Sequence, residues 1–583
     1  METPRPAELH ALLRRTAVFG HLRAHEMDAL VREMAWFSLP GGASLYEAGE
    51  PSDALYVVKT GSLGAFGVPN TGGSPRMLGV IPGGTIVGEL GLITGQSRTA
   101  SVRALRDSEL LRLSRSGFDA LVRAHPEAML GATRIATDRL LVQLRECGET
   151  DVSGAPRTLA VLPFDTDVDA RGFVETLRKQ LLPFGDCTVI DSALGRDRST
   201  AWFAQRESEV HYVLYLDDGD ATWRRLCERQ ADALLLLADA RRKPAAWTHE
   251  TISSVIHARH RPRHLVLLQP PNEFVYGAAR AWRETLSDGG LRHHHARNQS
   301  DIARIARLLS GHGTGLVLSG GGARGFAQIG VIRALREAGI VIDSVIGTSI
   351  GAIIGAGVAY EWNDQKMREA YRRALVDGKP LRDWTLPLVA LTRGGRTTML
   401  LREAFGEIDI EDLPIDFACL SADLTRGTAV MHRSGLLWRW LRASSAVPGI
   451  LPPLLHDGHV YVDGAVVNNL PTDVLSGEGV GRIIAVDISA DDMLIAGVDE
   501  SVSPPLPALW AERHDGDRPN AFSILVRAGM INSEAGSARR RKLADLLLRP
   551  DLERIGLLDW HEFERAIGIG YRYTRDKLNA SGT

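Results

Sequence analysis

Hydrophobic and polar positions change rhythm twice along the chain. Residues 1 to about 40 read as short helices. After Leu39-Pro40-Gly41-Gly42 the apolar runs shorten to residues 44–46, 54–59, 63–68 and 76–81, each bounded by turn residues. Many short strands between Gly/Pro turns predict a small β-barrel or jelly roll. Helical spacing returns over 118–147, where Ile135, Leu140, Leu141 and Leu144 form an apolar stripe beside Arg134, Arg139 and Arg145. Residues 148–156 have the composition of a linker. From 157 to 310, apolar runs at 159–162, 188–190, 212–216, 233–238 and 264–268 alternate with helical stretches such as 173–182. That alternation predicts a parallel α/β sheet. Beyond 310, residues 316–318 read as a buried strand, Ile329, Ile332 and Leu335 as a helix face ended by Gly339, and 341–346 as a second strand. Residues 482–488 read as another strand and 521–548 as helical. The expectation is a multidomain α/β protein divided at 1–147, a linker at 148–156, 157–310 and 311–583.

Composition narrows the class. Of 583 residues 44% are hydrophobic and 24% charged, as in ordinary globular proteins, and the net charge of -3 implies no general attraction to nucleic acid. Four cysteines, Cys147, Cys187, Cys227 and Cys419, lie far apart without a C-x-x-C, which fits a reducing compartment better than a zinc or disulfide framework. The first residues lack the apolar core of a signal peptide. The most apolar run, 345–360, is shorter than the about 20 residues a bilayer span needs. No transmembrane helix is expected, and the expected location is the cytoplasm, with peripheral membrane contact in view.

The chemistry concentrates at 315–360. Gly320-Gly321-Gly322 follows a strand, and Gly347-Thr348-Ser349-Ile350-Gly351 sits between the next strand and an apolar helix. A G-x-S-x-G in that context lifts the serine Oγ into the open at a sharp turn. The helix start adds amides and a positive dipole end. Downstream come Asp463-Gly464-Ala465, Asn468-Asn469-Leu470-Pro471, residues 443–448 (Ala-Ser-Ser-Ala-Val-Pro) and Pro452-Pro453. Taken together these motifs resemble the patatin-like phospholipases. The neuropathy target esterase type is the nearest, since the likeness continues through the middle region and into Arg549-Pro550.

The resemblance implies a serine–aspartate dyad of Ser349 and Asp463 without histidine, and an oxyanion turn from Gly320, Gly321, Gly322, Ala323 and Arg324. It implies a carboxylic ester hydrolase acting on phospholipids or lysophospholipids, with no cofactor required. A Ser–Asp–His triad is the rival within enzymes. It would need a histidine after the acid, of which only His514 and His561 follow Asp463; Asp423 and Asp487 are the other acids at strand-like ends. A scaffold with an inactive hydrolase fold is the rival outside them.

Residues 87–93 (Val-Gly-Glu-Leu-Gly-Leu-Ile) and Ser97-Arg98-Thr99 resemble the phosphate-binding cassette of cyclic nucleotide-binding domains. Arg98 can pair phosphate oxygens and Glu89 can accept the ribose hydroxyl proton, while Gly88 and Leu90 offer amides and Thr99 a hydroxyl. The partners expected are therefore a lipid substrate and a cyclic nucleotide, cAMP or cGMP, as regulatory ligand, with a homodimer also in view and no nucleic acid. The family often has Phe and Pro where Val87 and Ser97 stand. No dinucleotide or P-loop motif follows the first strand of the middle region, so no cofactor is assigned there. Asp217-Asp218-Gly219-Asp220 and His293-His294-His295 read as a surface loop and a strand-borne tract rather than metal sites. Arg539-Arg540-Arg541-Lys542 reads as a solvated face. Trp438 and Trp440 fit either membrane insertion or core packing.

Overall fold

The short alternating runs of the first third pair as two four-stranded antiparallel sheets in the structure. It is a computed structural model that describes residues 6–16, 18–67, 76–145, 155–245, 262–271, 273–286, 291–475, 480–489, 501–502 and 521–581. One sheet runs Ala35–Leu39, Ser108–Ser114, Ala54–Thr60, Ile86–Val87; the other runs Ser44–Tyr46, Ser101–Ala104, Ser62–Gly67, Arg76–Pro82. The side-chain period of two splits the central strand between two cores. Ala54, Tyr56 and Val58 meet Leu63, Val102 and Leu110, whereas Leu55 and Val57 meet Phe19, Met27 and Phe118 on the flanking helices. The result is a jelly roll with helices. Residues 35–39 are a strand and not the expected helix end: their aromatic pair Trp36-Phe37 suits a pleated surface, and Phe37 pairs with Leu110.

The middle region forms six parallel strands in the order Cys187–Ile190, Tyr212–Leu216, Thr158–Pro163, Ala233–Asp239, Arg263–Leu268, Arg292–Ala296. His293, His294 and His295 lie on the last of these. The jelly roll and this sheet belong to one compact unit, Met1–Phe274 with Trp282–Ser310. Within it Arg106 reaches Glu207 at 2.7 Å and Asp232 at 3.5 Å, and Asp107 pairs with Arg229 at 3.3 Å. The two carboxylates beside Arg106 outweigh its burial and raise its pKa. Most of the expected linker, 148–154, lies outside the described residues, as does Cys147.

The second unit comprises Val275–Ala281 and Gly311–Thr583. Its eight-stranded sheet is ordered Leu454–His456, His459–Asp463, Asp416–Asp423, Ser344–Thr348, Gly313–Leu318, Val480–Val486, Leu546–Leu548, and Thr428–His432 also pairs with Asp416–Asp423. The strands from Asp416–Asp423 to Leu546–Leu548 are parallel; His459–Asp463 joins antiparallel. The predicted helix over 521–548 stops at Arg541, because the apolar run Leu546–Leu548 completes the sheet beside Ile484–Val486. Among the described residues no helix is long and apolar enough to cross a membrane.

Two helices press backbone to backbone behind the site. Helix Phe326–Glu337 crosses the C-terminal helix Phe563–Ser581 at glycines: a Cβ on Gly330 would overlap Ile567 O, and one on Gly570 would overlap Ala327 O. Phe326 packs edge-on against Phe563, centroids 4.6 Å apart. Gly330→Val should therefore lower stability by about 1–3 kcal/mol through overpacking, read as a fall in thermal midpoint. Gly568→Ala, whose new methyl meets only the far end of Arg572, should be neutral or slightly stabilising.

Candidate active site

Ser349 stands between the strand Ser344–Thr348 and the helix Ile350–Ala359, at φ 56 and ψ -125. A non-glycine residue there costs about 1–3 kcal/mol and persists only where the surroundings enforce it. Glycine on either side makes the turn feasible, since a Cβ on Gly351 would overlap Leu318 O and one on Gly347 would overlap Gly351. The turn is held from outside. Ser349 N–H donates to Ser444 Oγ at 2.9 Å, and Thr348 Oγ1 donates to Asn468 O at 3.0 Å.

Sheet register brings the acid to the serine. On the strand Asp416–Asp423, Leu420 pairs with Thr348 and the next residue, Ser421, pairs with Asp463. Ser349 Oγ lies 2.6 Å from Asp463 Oδ2, and Asp463 Oδ1 accepts from Ala465 N–H at 2.8 Å. Asp463 is 2% exposed. Loss of hydration pushes its carboxyl up to about 7, against the opposing pull of the Ser349 and Ala465 hydrogen bonds.

The glycine turn lies against the same cavity, with a narrower donor set than the sequence implied. Gly320 N–H is bound to Asn469 Oδ1 at 3.0 Å and Ala323 N–H to Leu557 O at 2.8 Å, so both are engaged already. Arg324 is buried and its Nε donates to Ile555 O at 2.6 Å, which makes it a tie to the C-terminal segment. The amides of Gly321 and Gly322 form no hydrogen bond to a described residue, and both glycines line the cavity with Ser349 and Asp463. This cavity, of about 150 Å³, is otherwise walled by apolar side chains including Ile353, Leu375, Leu381, Ile450 and Leu451.

The rival acids and histidines are occupied elsewhere. Asp423 pairs with His459 at 2.8 Å, and Asp487 with Arg541 at 2.7 Å and Arg549 at 3.4 Å. His561 is exposed beside Glu562; His514 lies outside the described residues. His432 is bound to Ser421 at 2.6 Å, stacks on Trp440, and is pushed down to about 4 by burial.

Asn469 and Ser444 escaped the sequence reading as site residues. Both stood in quoted motifs, but their partners Gly320 and Ser349 lie 149 and 95 positions away. Asn469 also donates from Nδ2 to Gly320 O at 3.3 Å, so one amide side chain grips both polar groups of that glycine.

In the jelly roll, Gly88 takes φ 90 and starts the short helix Glu89–Thr94. Glu89 and Arg98 are buried, Leu90 is half-buried and Thr99 exposed. Arg98 donates from Nη1 to Gly88 O at 3.0 Å and from Nη2 to Ala54 O at 2.7 Å, with Asp53 at 3.5 Å. Its guanidinium lies 4.1 Å from the centre of the Tyr46 ring, and its Nε has no partner among the described residues.

The other flagged motifs have structural partners. Asp217 pairs with Arg224, Asp218 accepts from Ser192 Oγ at 2.7 Å, and Asp220 caps a helix through Trp223 N–H. His264 and His294 share a 2.9 Å hydrogen bond, and burial pushes His264 down to about 3. Among the described residues no group of three or more His, Cys, Asp or Glu could hold a metal. Trp438 donates to Glu407 at 3.1 Å and Trp440 packs between His432 and Tyr461. In the basic run Arg540 donates to Ser533 O and Arg541 pairs with Asp487, leaving Arg539 and Lys542 exposed.

Three family models match the chain: a cyclic nucleotide-binding domain over 36–125, the neuropathy target esterase family P-loop like domain over 156–297, and a patatin-like phospholipase over 316–476. The loop after the first middle strand nonetheless reads Phe164-Asp165-Thr166-Asp167-Val168-Asp169, with acids where a phosphate cradle would need glycines and lysine. Among curated proteins, an NTE family protein of Mycobacterium tuberculosis is 30% identical over 599 residues, 99% of this chain and 97% of its own. The neuropathy target esterase of Drosophila melanogaster is 30% identical over 83% of this chain and 39% of its own. Patatin-like phospholipase domain-containing protein 7 of Mus musculus is 29% identical over 95% and 46%. The chain thus spans less than half the length of these animal relatives. Among solved structures, the regulatory domain of Toxoplasma gondii PKA with cAMP aligns over 20% of this chain and 46% of its own at 25% identity, with a TM-score of 0.20. With a bacterial relative matched almost end to end and all three family models in order along it, this chain belongs to the neuropathy target esterase family.

Proposed function

We propose that the protein hydrolyses carboxylic esters of phospholipids or lysophospholipids through Ser349 and Asp463. The observation that carries this reading is the 2.6 Å Ser349–Asp463 contact beside a largely apolar cavity. Asp463 Oδ2 accepts the proton as Ser349 Oγ attacks the ester carbonyl. The N–H groups of Gly321 and Gly322 hold the developing oxyanion, a contribution of about 3 kcal/mol per donor. Collapse expels the alcohol, which recovers the proton from Asp463. Water then repeats the sequence on the acyl-enzyme. An ordinary carboxylate is too weak a base for this step at neutral pH; one raised to about 7 is matched to it. The apolar walls suit an acyl chain, and the names of the animal relatives support a lipid ester.

A cyclic nucleotide is the regulatory ligand of this reading. Glu89 and Arg98 supply the acceptor and the cation that a cyclic ribose phosphate requires, inside the stretch matched by the cyclic nucleotide-binding model. Regulation further requires the ligand to favour one arrangement of the chain over another.

Ser349→Ala should lower turnover of a short acyl ester by at least about 10⁴-fold with the fold intact, and His561→Ala should not. Mass spectrometry of products from a mixed lipid extract, wild type against Ser349→Ala, identifies the ester class cleaved. Near-wild-type turnover in the serine variant would refute the assignment.

Asp463→Asn should be inactive yet more stable than wild type above neutrality. The folded pKa lies above the unfolded value of 3.8, so the stabilisation from the neutral acid is complete below pH about 4 and is lost as pH rises through about 7. Asparagine removes that loss, a difference of up to about 4 kcal/mol at pH 8. Thermal melts of both proteins at pH 5 and 8 check it, and wild-type kcat/KM should fall below pH about 7.

Arg98→Ala should weaken cAMP or cGMP binding ten- to a hundred-fold by calorimetry, roughly 1.5–3 kcal/mol for a charge-assisted contact. Absence of heat with either nucleotide on the wild type would refute the ligand. Binding that leaves hydrolysis rates unchanged would refute only the regulation.

A further inference from the structure

The segment 380–393 leaves the rim of the catalytic cavity, turns, and returns. Its base is tied down. Trp384 and Thr392 form an antiparallel bridge, Thr385 N–H donates to Leu391 O at 3.0 Å, and Arg393 N–H to Asp383 O at 2.9 Å. Leu391 and Thr392 N–H groups are bound to Gly449 O and Ile450 O, and Thr392 Oγ1 to Ile450 O at 2.7 Å. The tip carries the opposite character to an ordinary loop. Trp384 is 64% exposed, Leu386 78%, Leu388 90% and Val389 69%, with Pro387 between them. Scattered apolar side chains are normal on a surface, but four on one braced tip mark a contact site.

We propose that this hairpin is a wedge that docks the hydrolase on an anionic lipid bilayer and sets the catalytic cavity open to the membrane. The inference rests on the lipid-ester reading above and adds where the substrate is taken from. Two observations favour a bilayer over a protein partner. The first is continuity with the site. Trp384 and Leu391 line a second cavity of about 690 Å³, which shares Leu375, Pro380, Leu381, Ile450, Leu558 and Trp560 with the cavity holding Ser349. A lipid tail leaving the bilayer beside Trp384 therefore meets apolar walls from the surface toward the serine. The second is charge. Exposed Lys379, Arg382, Arg393 and Arg396 surround the base, against Asp377 and a half-buried Asp383 whose Oδ2 already accepts from Arg396 N–H. A tryptophan and leucines within a basic collar suit the interface of an anionic membrane.

The test uses the full chain with vesicles of phosphatidylcholine alone and of phosphatidylcholine with phosphatidylglycerol at 7:3. Co-sedimentation reads binding, and turnover is measured on vesicle lipid and on a water-soluble short-chain ester. Leu386→Asp with Leu388→Asp should lower partition onto the anionic vesicles at least about tenfold. Vesicle-lipid turnover should fall in step, while short-ester turnover stays within about twofold because neither residue lines either of these two cavities. Leu388→Trp should raise partition. Wild-type partition should be several-fold stronger on the anionic vesicles and weaken with salt.

The wedge is overturned if the double variant partitions like wild type or if wild type does not partition at all. It is also overturned if the double variant melts early and loses short-ester turnover, which means the tip is covered by this chain. A wild-type dimer in solution that the double variant abolishes assigns the tip to a second copy instead. Partition that is normal in a wild type turning over neither ester leaves the wedge standing and refutes the hydrolase reading, so the two fail separately.

Discussion

A carboxyl group held out of water with a serine hydroxyl 2.6 Å away is the constraint around which the hydrolase unit is arranged. Hydration would return Asp463 to an ordinary acid, so the base role proposed for it requires the fold to keep it dry. It does so with the end of an antiparallel strand laid on the next rung after Thr348, and with an apolar cover that includes Ile350, Val447 and Leu451. A buried acid of this kind weakens the folded state at neutral pH. The backbone-to-backbone packing of the helices at Gly330 and Gly570 is one of the contacts that offset it. The strained Ser349 turn follows the C-terminal end of an interior strand, where activity and stability compete.

That strain is localised because three distant pieces of chain brace one another. Ser444 holds the Ser349 amide, Asn468 O receives Thr348, and Asn469 grips both polar groups of Gly320. Ser533 Oγ in turn receives Asn469 N–H at 2.8 Å. Ser319 adds a further stitch, accepting Gln328 at its carbonyl and Ile488 N–H at its hydroxyl. Reacting atoms need placement within a fraction of an ångström, and only a shell of already satisfied hydrogen bonds supplies it. Gly321 and Gly322 keep unengaged amides at the cavity because their neighbours in the turn, Gly320 and Ala323, are the ones tied down.

Much of this was legible in the sequence where the signal is local. The strand–glycine–helix context around Ser349, the short apolar runs of the middle sheet and the Gly88–Thr99 cassette are all read within a dozen residues. What was lost depends on partners far along the chain. Residues 35–39 and 546–548 become strands only because 108–114 and 480–486 lie waiting beside them. Which amides of the glycine turn stay unbound is decided by Asn469 and Leu557, more than a hundred positions away. Hydrophobicity alone also misleads about burial: Trp384-Thr385-Leu386-Pro387-Leu388-Val389 has the composition of a core segment and stands exposed, whereas Glu89 and Arg98 are buried.

The buried Arg98 bears on how a nucleotide would act. A guanidinium already donating to two backbone carbonyls and resting on Tyr46 cannot take a phosphate as an independent addition. The phosphate must use the remaining donors, Nε among them, or draw the side chain off Gly88 O and Ala54 O. In the second case the binding free energy is reduced by the contacts given up. The turn carrying Gly88 and the start of the Ala54–Thr60 strand then lose a tie at the same moment. Both belong to the sheet that includes Ser108–Ser114, whose preceding turn carries Arg106 to Glu207 and Asp232 of the middle region. A ligand that draws Arg98 away would exchange only a few hydrogen bonds, which bounds what this contact could contribute to any coupling. That bound is a coupling of about 1–3 kcal/mol, enough for a five- to hundred-fold bias and too little for an all-or-none switch.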